Sequence, residues 1–340
     1  MTHNRHLMDD YDDYENLYDP LKNDRQTRRS RKAKAGKHTP KKSESAIRAE
    51  LAPIGGTEGG FETTYRPSRY EEGWLLNSLR DFYRQEYITD VLALVRGGKE
   101  ASVYRCAARP GLGIDLLAAK VYRPRQFRHL RNDKMYREGR GILTLDGQDL
   151  NQSLHNDRVM RAIGKKTDYG KQVMHTSWLM YEFTTLQTLY NIGASVPRPV
   201  AASPNAILMG YIGGPTHAAP ALSDVELDKD ETQALFDETL RNIELMLMHG
   251  MIHGDLSAYN ILYWEGQITL IDFPQVTSSQ GNSQAHMILQ RDIERVCDYF
   301  ASQGVERDPA PILRRMWKQH VERREQDVAA DLSRLTAEAE

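Results

Sequence analysis

His253-Gly254-Asp255-Leu256-Ser257-Ala258-Tyr259-Asn260-Ile261-Leu262-Tyr263, followed by Ile271-Asp272-Phe273, is the stretch on which the reading of this chain turns. It reads as a loop for phosphoryl transfer. Asp255 is placed to accept the proton of an attacking hydroxyl, and Asn260 to hold a magnesium ion. Asp272 follows the apolar, strand-like run Gln267-Ile268-Thr269-Leu270-Ile271 and is placed to hold magnesium between phosphates. A transferred phosphoryl group receives little covalent help from protein, so positioning and charge neutralisation carry most of the catalysis. A carboxylate, an amide and a second carboxylate around a short hairpin meet that need. An isolated His-x-Asp is a weak signal, because turns are rich in Asp and Gly. Its plainer reading is a capped turn before a hairpin; the Asn and the second Asp in register weigh against that.

Upstream lie the elements of a nucleotide site. Gly97-Gly98-Lys99-Glu100-Ala101-Ser102-Val103-Tyr104 reads as strand, glycine turn, strand. Paired glycines let a backbone approach a ligand, with free N–H groups facing phosphate oxygens, and Ser102 adds a hydroxyl donor. Taken alone, a Gly-Gly turn is more often a plain hairpin. Leu116-Leu117-Ala118-Ala119-Lys120-Val121-Tyr122 is a short apolar strand with one lysine in it. A buried strand lysine needs an anionic partner; an edge-strand lysine facing water is the alternative. Trp178 to Tyr190 reads as a helix, and Glu182 within it is the expected partner of Lys120. Helical glutamates are more commonly surface residues. After the strand Ala206-Ile207-Leu208-Met209, the segment Met209-Gly210-Tyr211-Ile212 reads as a linker between lobes whose backbone pairs with an adenine edge. Asp230 to His249 and Gln290 to Phe300 carry apolar residues at helical spacing.

The chain has 340 residues, enough for one bilobal domain, and a formal net charge of −2 that says little about partners. Local charge says more. Residues 1–20 are acidic, and Lys22 to Arg48 is rich in Lys and Arg. Such blocks suggest tails, and this composition cannot bury enough apolar surface to offset the entropy of ordering. Arg28-Arg29-Ser30-Arg31-Lys32-Ala33-Lys34 offers cations to RNA phosphates, with no interleaved aromatic residues to stack bases; a solvated tail is the plainer reading. The two cysteines, Cys106 and Cys297, have no metal-ligand spacing and fit free thiols in a reducing cytosol. The polar N-terminus does not read as a secretory signal, and no apolar run approaches the roughly 20 residues of a membrane helix. The expectation is a cytoplasmic protein. Residues 1–66 are expected to be a disordered tail, 67–90 a helical lead-in, 91–209 an N-lobe with a long insert at about 123–175, 210–310 a C-lobe, and 311–340 terminal helices.

Asp-x-x-x-x-Asn followed by a strand-borne Asp is a protein-kinase-like pattern. Together with Gly97 to Tyr104, Ala119-Lys120-Val121-Tyr122, Ile271-Asp272 and Arg291-Asp292-Ile293-Glu294, it makes residues 70–305 resemble the RIO-type atypical protein kinases. No winged-helix pattern precedes the kinase region, so the chain resembles the first branch of that family, and it has the look of a bacterial member. The resemblance implies an α+β, trimmed bilobal kinase-like fold, with a small antiparallel sheet in the N-lobe and a mainly helical C-lobe. It implies ATP and magnesium as cofactors and phosphorylation of serine, self included. Gly97, Gly98, Lys99, Ser102, Val103, Lys120, Glu182, Met209, Tyr211 and Ile212 would contact nucleotide, Asp255 would be the base, and Asn260 and Asp272 would hold the metal. In some members ATP hydrolysis passes through phosphorylation of the metal-binding Asp, here Asp272, as a switch. In archaea and eukaryotes the family serves small ribosomal subunit maturation. The segment from Asp272 to Arg291 is too short for a long activation segment, and Gly254 stands where many kinases carry an Arg that reads a phosphorylated loop. Phe273 is followed by Pro274, and the insert between Lys120 and Glu182 is longer than the family's flexible loop.

Two other functions compete. His253-Gly254-Asp255-Leu256 also resembles antibiotic and choline phosphotransferases, but those commonly continue His-Pro-Gly-Asn where this chain has Ser257-Ala258-Tyr259-Asn260. A slow ATPase or scaffold that meets ribosomal particles through the basic arm is the other.

Overall fold

The computed structural model describes residues 63–98, 100–123, 141–145, 147–149, 157–165 and 167–322. Helix α1, Arg69–Arg84, begins with a capping box in which the Glu71 side chain reaches back to Ser68 N–H at 3.3 Å. Its apolar stripe of Leu75, Leu79 and Phe82 packs on Ile88, Val91, Tyr104, Leu117 and Ala119. These come from β1 (Ile88–Gly97), β2 (Ala101–Ala108) and β3 (Leu116–Tyr122). With β4 (Pro199–Ser203) and β5 (Ala206–Gly210) they form a sheet of order β1-β2-β3-β5-β4, antiparallel throughout. The expected boundary between a lead-in at 67–90 and an N-lobe from 91 is thus corrected: α1 is part of the N-lobe core, and β1, which starts at Ile88, belongs to the same lobe. The tail boundary at 66 also moves. Tyr65 N–H donates to Val91 O at 2.8 Å and Thr64 N–H to Asp90 at 2.8 Å, tying residues 64–65 to β1.

Register decides which side chains share a face, because paired residues point the same way and neighbours alternate. Ser102 pairs with Val121 and Tyr104 with Ala119, on the face covered by α1. Val103 pairs with Lys120 and Arg105 with Ala118, on the opposite face. That second face meets the larger core, which includes Tyr122, Ile207, Trp178, Phe183 and Leu186.

Helix α2 is Asp157–Gly164 and α3 is Asp168–Asn191. The insert's expected end at about 175 and the helix start at Trp178 are corrected. Thr167 caps α3 by accepting from Gly170 N–H at 3.1 Å, so the helix begins ten residues earlier, and polar His175 and Ser177 lie buried within it. The centre of the insert, the acidic and basic tail, and residues 323–340 lie outside the described residues. Helices α4 (Lys229–Met248), α5 (Ala285–Ser302) and α6 (Pro309–Met316) build the second lobe. Between α4 and α5 run β6 (Met251–Ile252), β7 (Ile261–Trp264), β8 (Gln267–Leu270) and β9 (Thr277–Ser278). The β7–β8 hairpin turns at Glu265 and Gly266, both with positive φ, as a tight two-residue turn requires.

Candidate active site

Lys120 leaves β3 on the face away from α1 and donates to Glu182 Oε1 at 2.5 Å and to Asp272 Oδ1. Glu182 sits in mid-α3, where it is buried. Tyr122, two positions along the same face of β3, donates its hydroxyl to the other Glu182 oxygen. A buried glutamate needs such partners, since each lone pair lost to water must be satisfied. Burial works against the Lys120 charge, but Asp272 and Glu182 outweigh it and hold the ammonium well above its ordinary range. Burial pushes the Glu182 carboxyl up, with Lys120 opposing. Burial also works against the Asp272 anion, yet Lys120, His253 and Arg96 hold it below the usual carboxylate range.

The loop after β6 is fixed from α5. Asp292 accepts from Gly254 N–H at 2.7 Å and Leu256 N–H at 3.2 Å, and Arg291 donates to Gly254 O. Asp255 is held at both carboxylate oxygens: Arg295 Nη1 donates to Oδ1 at 2.8 Å and Asn260 Nδ2 to Oδ2 at 3.2 Å. The Asn260 amide also donates to Asp255 O at 2.8 Å. Both of these bonds run from the Asn260 nitrogen and not from its amide oxygen. His253 packs its ring on Phe273 with centroids 5.2 Å apart, and its Nε2 lies 3.2 Å from Ile271 O. Asp272 has φ +71°, in the left-handed region that non-glycine residues rarely adopt.

Expected residues divide by position. Lys120, Glu182 and Asp272 are in direct contact, as are Asp255 and Asn260. Val103 shares the Lys120 face. Ser102 does not: it is buried on the α1 face, so its hydroxyl is not placed as a phosphate donor. Gly98 N–H donates to Ala101 O at 2.9 Å and is not free for a phosphate, while Gly97 pairs with Ser102. Lys99 lies outside the described residues. Met209 stands in β5 between β3 and β4, so its backbone faces neighbouring strands and not a base edge. Tyr211 N–H donates to Leu116 O, and Ile212 O accepts from Ala219 N–H at 3.1 Å. Among the described residues no backbone hydrogen bond takes up the Ile212 N–H, which makes it the linker's available donor.

Tyr122, Asp292, Arg291 and Arg295 were not expected as site residues. Arg291 and Asp292 stood within a quoted motif without a role. The available signal for the three helical residues was their spacing: Arg295 follows Asp292 by three positions and Arg291 by four, so it neighbours both on the helix surface. A charged group recurring on the apolar side of a helix calls for a partner.

The sequence profile of the RIO domain matches residues 148–311, which takes in Glu182 and the Asp255 loop and leaves out Lys120. The chain is 29% identical over 230 residues to the serine/threonine-protein kinase RIO1 of Chaetomium thermophilum, covering 64% of this chain and 41% of that one. It is 33% identical over 135 residues to the RIO-type serine/threonine-protein kinase Rio1 of Thermoplasma acidophilum, covering 40% of this chain and 69% of that one. The Haloferax volcanii protein of the same description is 30% identical over 213 residues, covering 62% and 63%. The match thus spans less than half of the Chaetomium relative and about two thirds of the two archaeal ones.

Proposed function

Because the chain belongs to the family of RIO-type serine/threonine-protein kinases, we propose that it transfers the terminal phosphoryl group of ATP to serine or threonine hydroxyls of a protein, itself included. The observation that carries this reading is Lys120 held between Glu182 and Asp272, with Asn260, which holds Asp255, accepting at its backbone O from Ile271 N–H beside Asp272. Lys120 neutralises the α- and β-phosphates, and Glu182 keeps it aimed. Asp255 takes the hydroxyl proton as the oxygen attacks, and the Ile212 N–H meets the base. Asn260 and Asp272 supply an amide oxygen and a carboxylate, the hard oxygen donors that suit magnesium, and phosphate oxygens would complete the shell. The ion neutralises charge that develops on the transferring phosphates.

One observation favours a second output, ATP hydrolysis as a conformational switch. The Asp272 side chain is 38% exposed, whereas that of Asp255 is 13% exposed and engaged at both oxygens. Asp272 is therefore the more accessible nucleophile: its oxygen would bond to the γ-phosphorus as ADP leaves, and water would later cleave the acyl phosphate. Incubation with γ-labelled ATP separates the two. Label stable to hydroxylamine and lost in Asp255→Ala supports serine or threonine transfer. Hydroxylamine-labile label with phosphate release supports the switch. Phosphorylation of a small alcohol or aminoglycoside without any protein labelling would reverse the assignment. Ribosomal particles are the proposed partner class, met through the basic stretch from Lys22 to Arg48. Co-sedimentation that does not weaken with salt would count against that contact, because phosphate binding is steeply salt-dependent.

A further inference from the structure

Helix α5 holds the catalytic loop in two different ways. Arg291 and Asp292 grip its backbone, both at Gly254. Arg295 grips a side chain, donating to Asp255 Oδ1 at 2.8 Å. Both partners are enclosed, with side-chain exposures of 3% for Arg295 and 13% for Asp255. Asn260 meanwhile donates to the other oxygen. Two donors on two different oxygens fix the carboxylate's rotation about its last bond as well as its place. The guanidinium suits that task, being planar and charged at every working pH.

We propose that Arg295 is the positioning residue that sets the Asp255 carboxylate for phosphoryl transfer. The proposal rests on the kinase reading above. Without Arg295 the loop backbone keeps its anchors on Arg291 and Asp292, but Asp255 loses its counter-charge and its rotational restraint. Lys120, Glu182 and Asp272 hold one another and have no hydrogen bond to Arg295. Nucleotide binding is therefore spared while transfer suffers.

The test is a double-mutant cycle on single-turnover transfer to serine, with Arg295→Met, Asp255→Asn and the double variant in the full chain. Arg295→Met is expected to lower kcat on the order of 100-fold, as for a misplaced catalytic group. Its KM for MgATP should stay within about twofold. In the Asp255→Asn background the same substitution should cost nothing further, and Arg295→Lys should restore part of the rate. An equal loss in both backgrounds would mean that Arg295 serves the fold at large and would overturn the proposal. So would a wild-type kcat in Arg295→Met. Should Arg295→Met fail to fold, Arg295→Lys keeps the charge and takes its place in the cycle. Wild-type protein that yields neither label nor phosphate would sink the kinase reading itself; active wild type with an indifferent Arg295→Met sinks this inference alone.

Discussion

Gly254 shows what a single missing side chain permits. Its φ is +84°, and a Cβ built there would lie 2.4 Å from Gln275 O. The loop can pass that close to the backbone after Asp272 only without a side chain. An arginine at this position, the usual reader of a phosphorylated activation loop, has no room. Gly254→Ala is expected to cost about 2 kcal/mol or more, from left-handed strain plus the clash, and to abolish transfer. Chemical denaturation and the labelling assay check the two effects separately; a variant as stable as wild type would show that Gln275 moves aside. The Lys120–Glu182 pair is a residue-scale case of another kind. Removing Glu182 takes one of the two anionic partners of Lys120 and the acceptor of the Tyr122 hydroxyl bond, so Glu182→Ala should destabilise by about 3 kcal/mol and leave Lys120 aimed by Asp272 alone. Thermal melting and KM for ATP report on both.

At the scale of elements, α1 and the start of α3 show where sequence reading fell short. A helix within 67–90 was legible, but not that its stripe of Leu75, Leu79 and Phe82 closes the sheet's outer face. That partnership depends on strand register, which no local pattern records. The same blindness put Ser102 beside the phosphates, although only its pairing with Val121 fixes its face. Leu79→Ala is accordingly expected to cost 2–5 kcal/mol (about the range for a buried leucine). A chain cut before Ile88 that melts like the full chain would contradict this. By contrast the meeting of Lys120 with Glu182, and the placing of Asp255 beside Asn260, were legible, because the proposed chemistry asks for those residue types at those spacings. Arg295 carried only the weaker signal of a charge recurring on the buried side of α5, which asks for a partner without saying which. Helix α4 supplies a pH-dependent anchor. Arg241, against opposing burial and with help from Ser195 and Asn242, holds Glu238 down at about 2 instead of 4.5. Because the folded pKa is lowered, the stabilisation is fully present above pH 4.5 and is lost as pH falls towards about 2. Glu238→Gln should therefore flatten the fall of the melting temperature across that window while lowering it at neutral pH.

Across the whole molecule, one pair that joins the lobes is also the pair that the proposed chemistry would have to break. Lys120 belongs to the sheet and Asp272 to the hairpin end of the second lobe, and in this structure they bind each other. An Asp272 that shares its charge with Lys120 is a poor ligand for a metal ion arriving alone. On the proposed reading a nucleotide would change the balance, because its phosphates would give Lys120 a new partner as Asp272 turned to the ion. Magnesium without nucleotide should leave the melting temperature of the wild-type protein almost unchanged, and magnesium with a non-hydrolysable ATP analogue should raise it. Lys120→Met removes the competitor, so in that variant magnesium alone should bind more tightly, even as ATP affinity falls. Titration calorimetry with magnesium, run on both proteins, reads the difference directly. Equal magnesium affinities would mean that Lys120 does not hold Asp272 back, and that the contact between the lobes is released at no cost to metal binding.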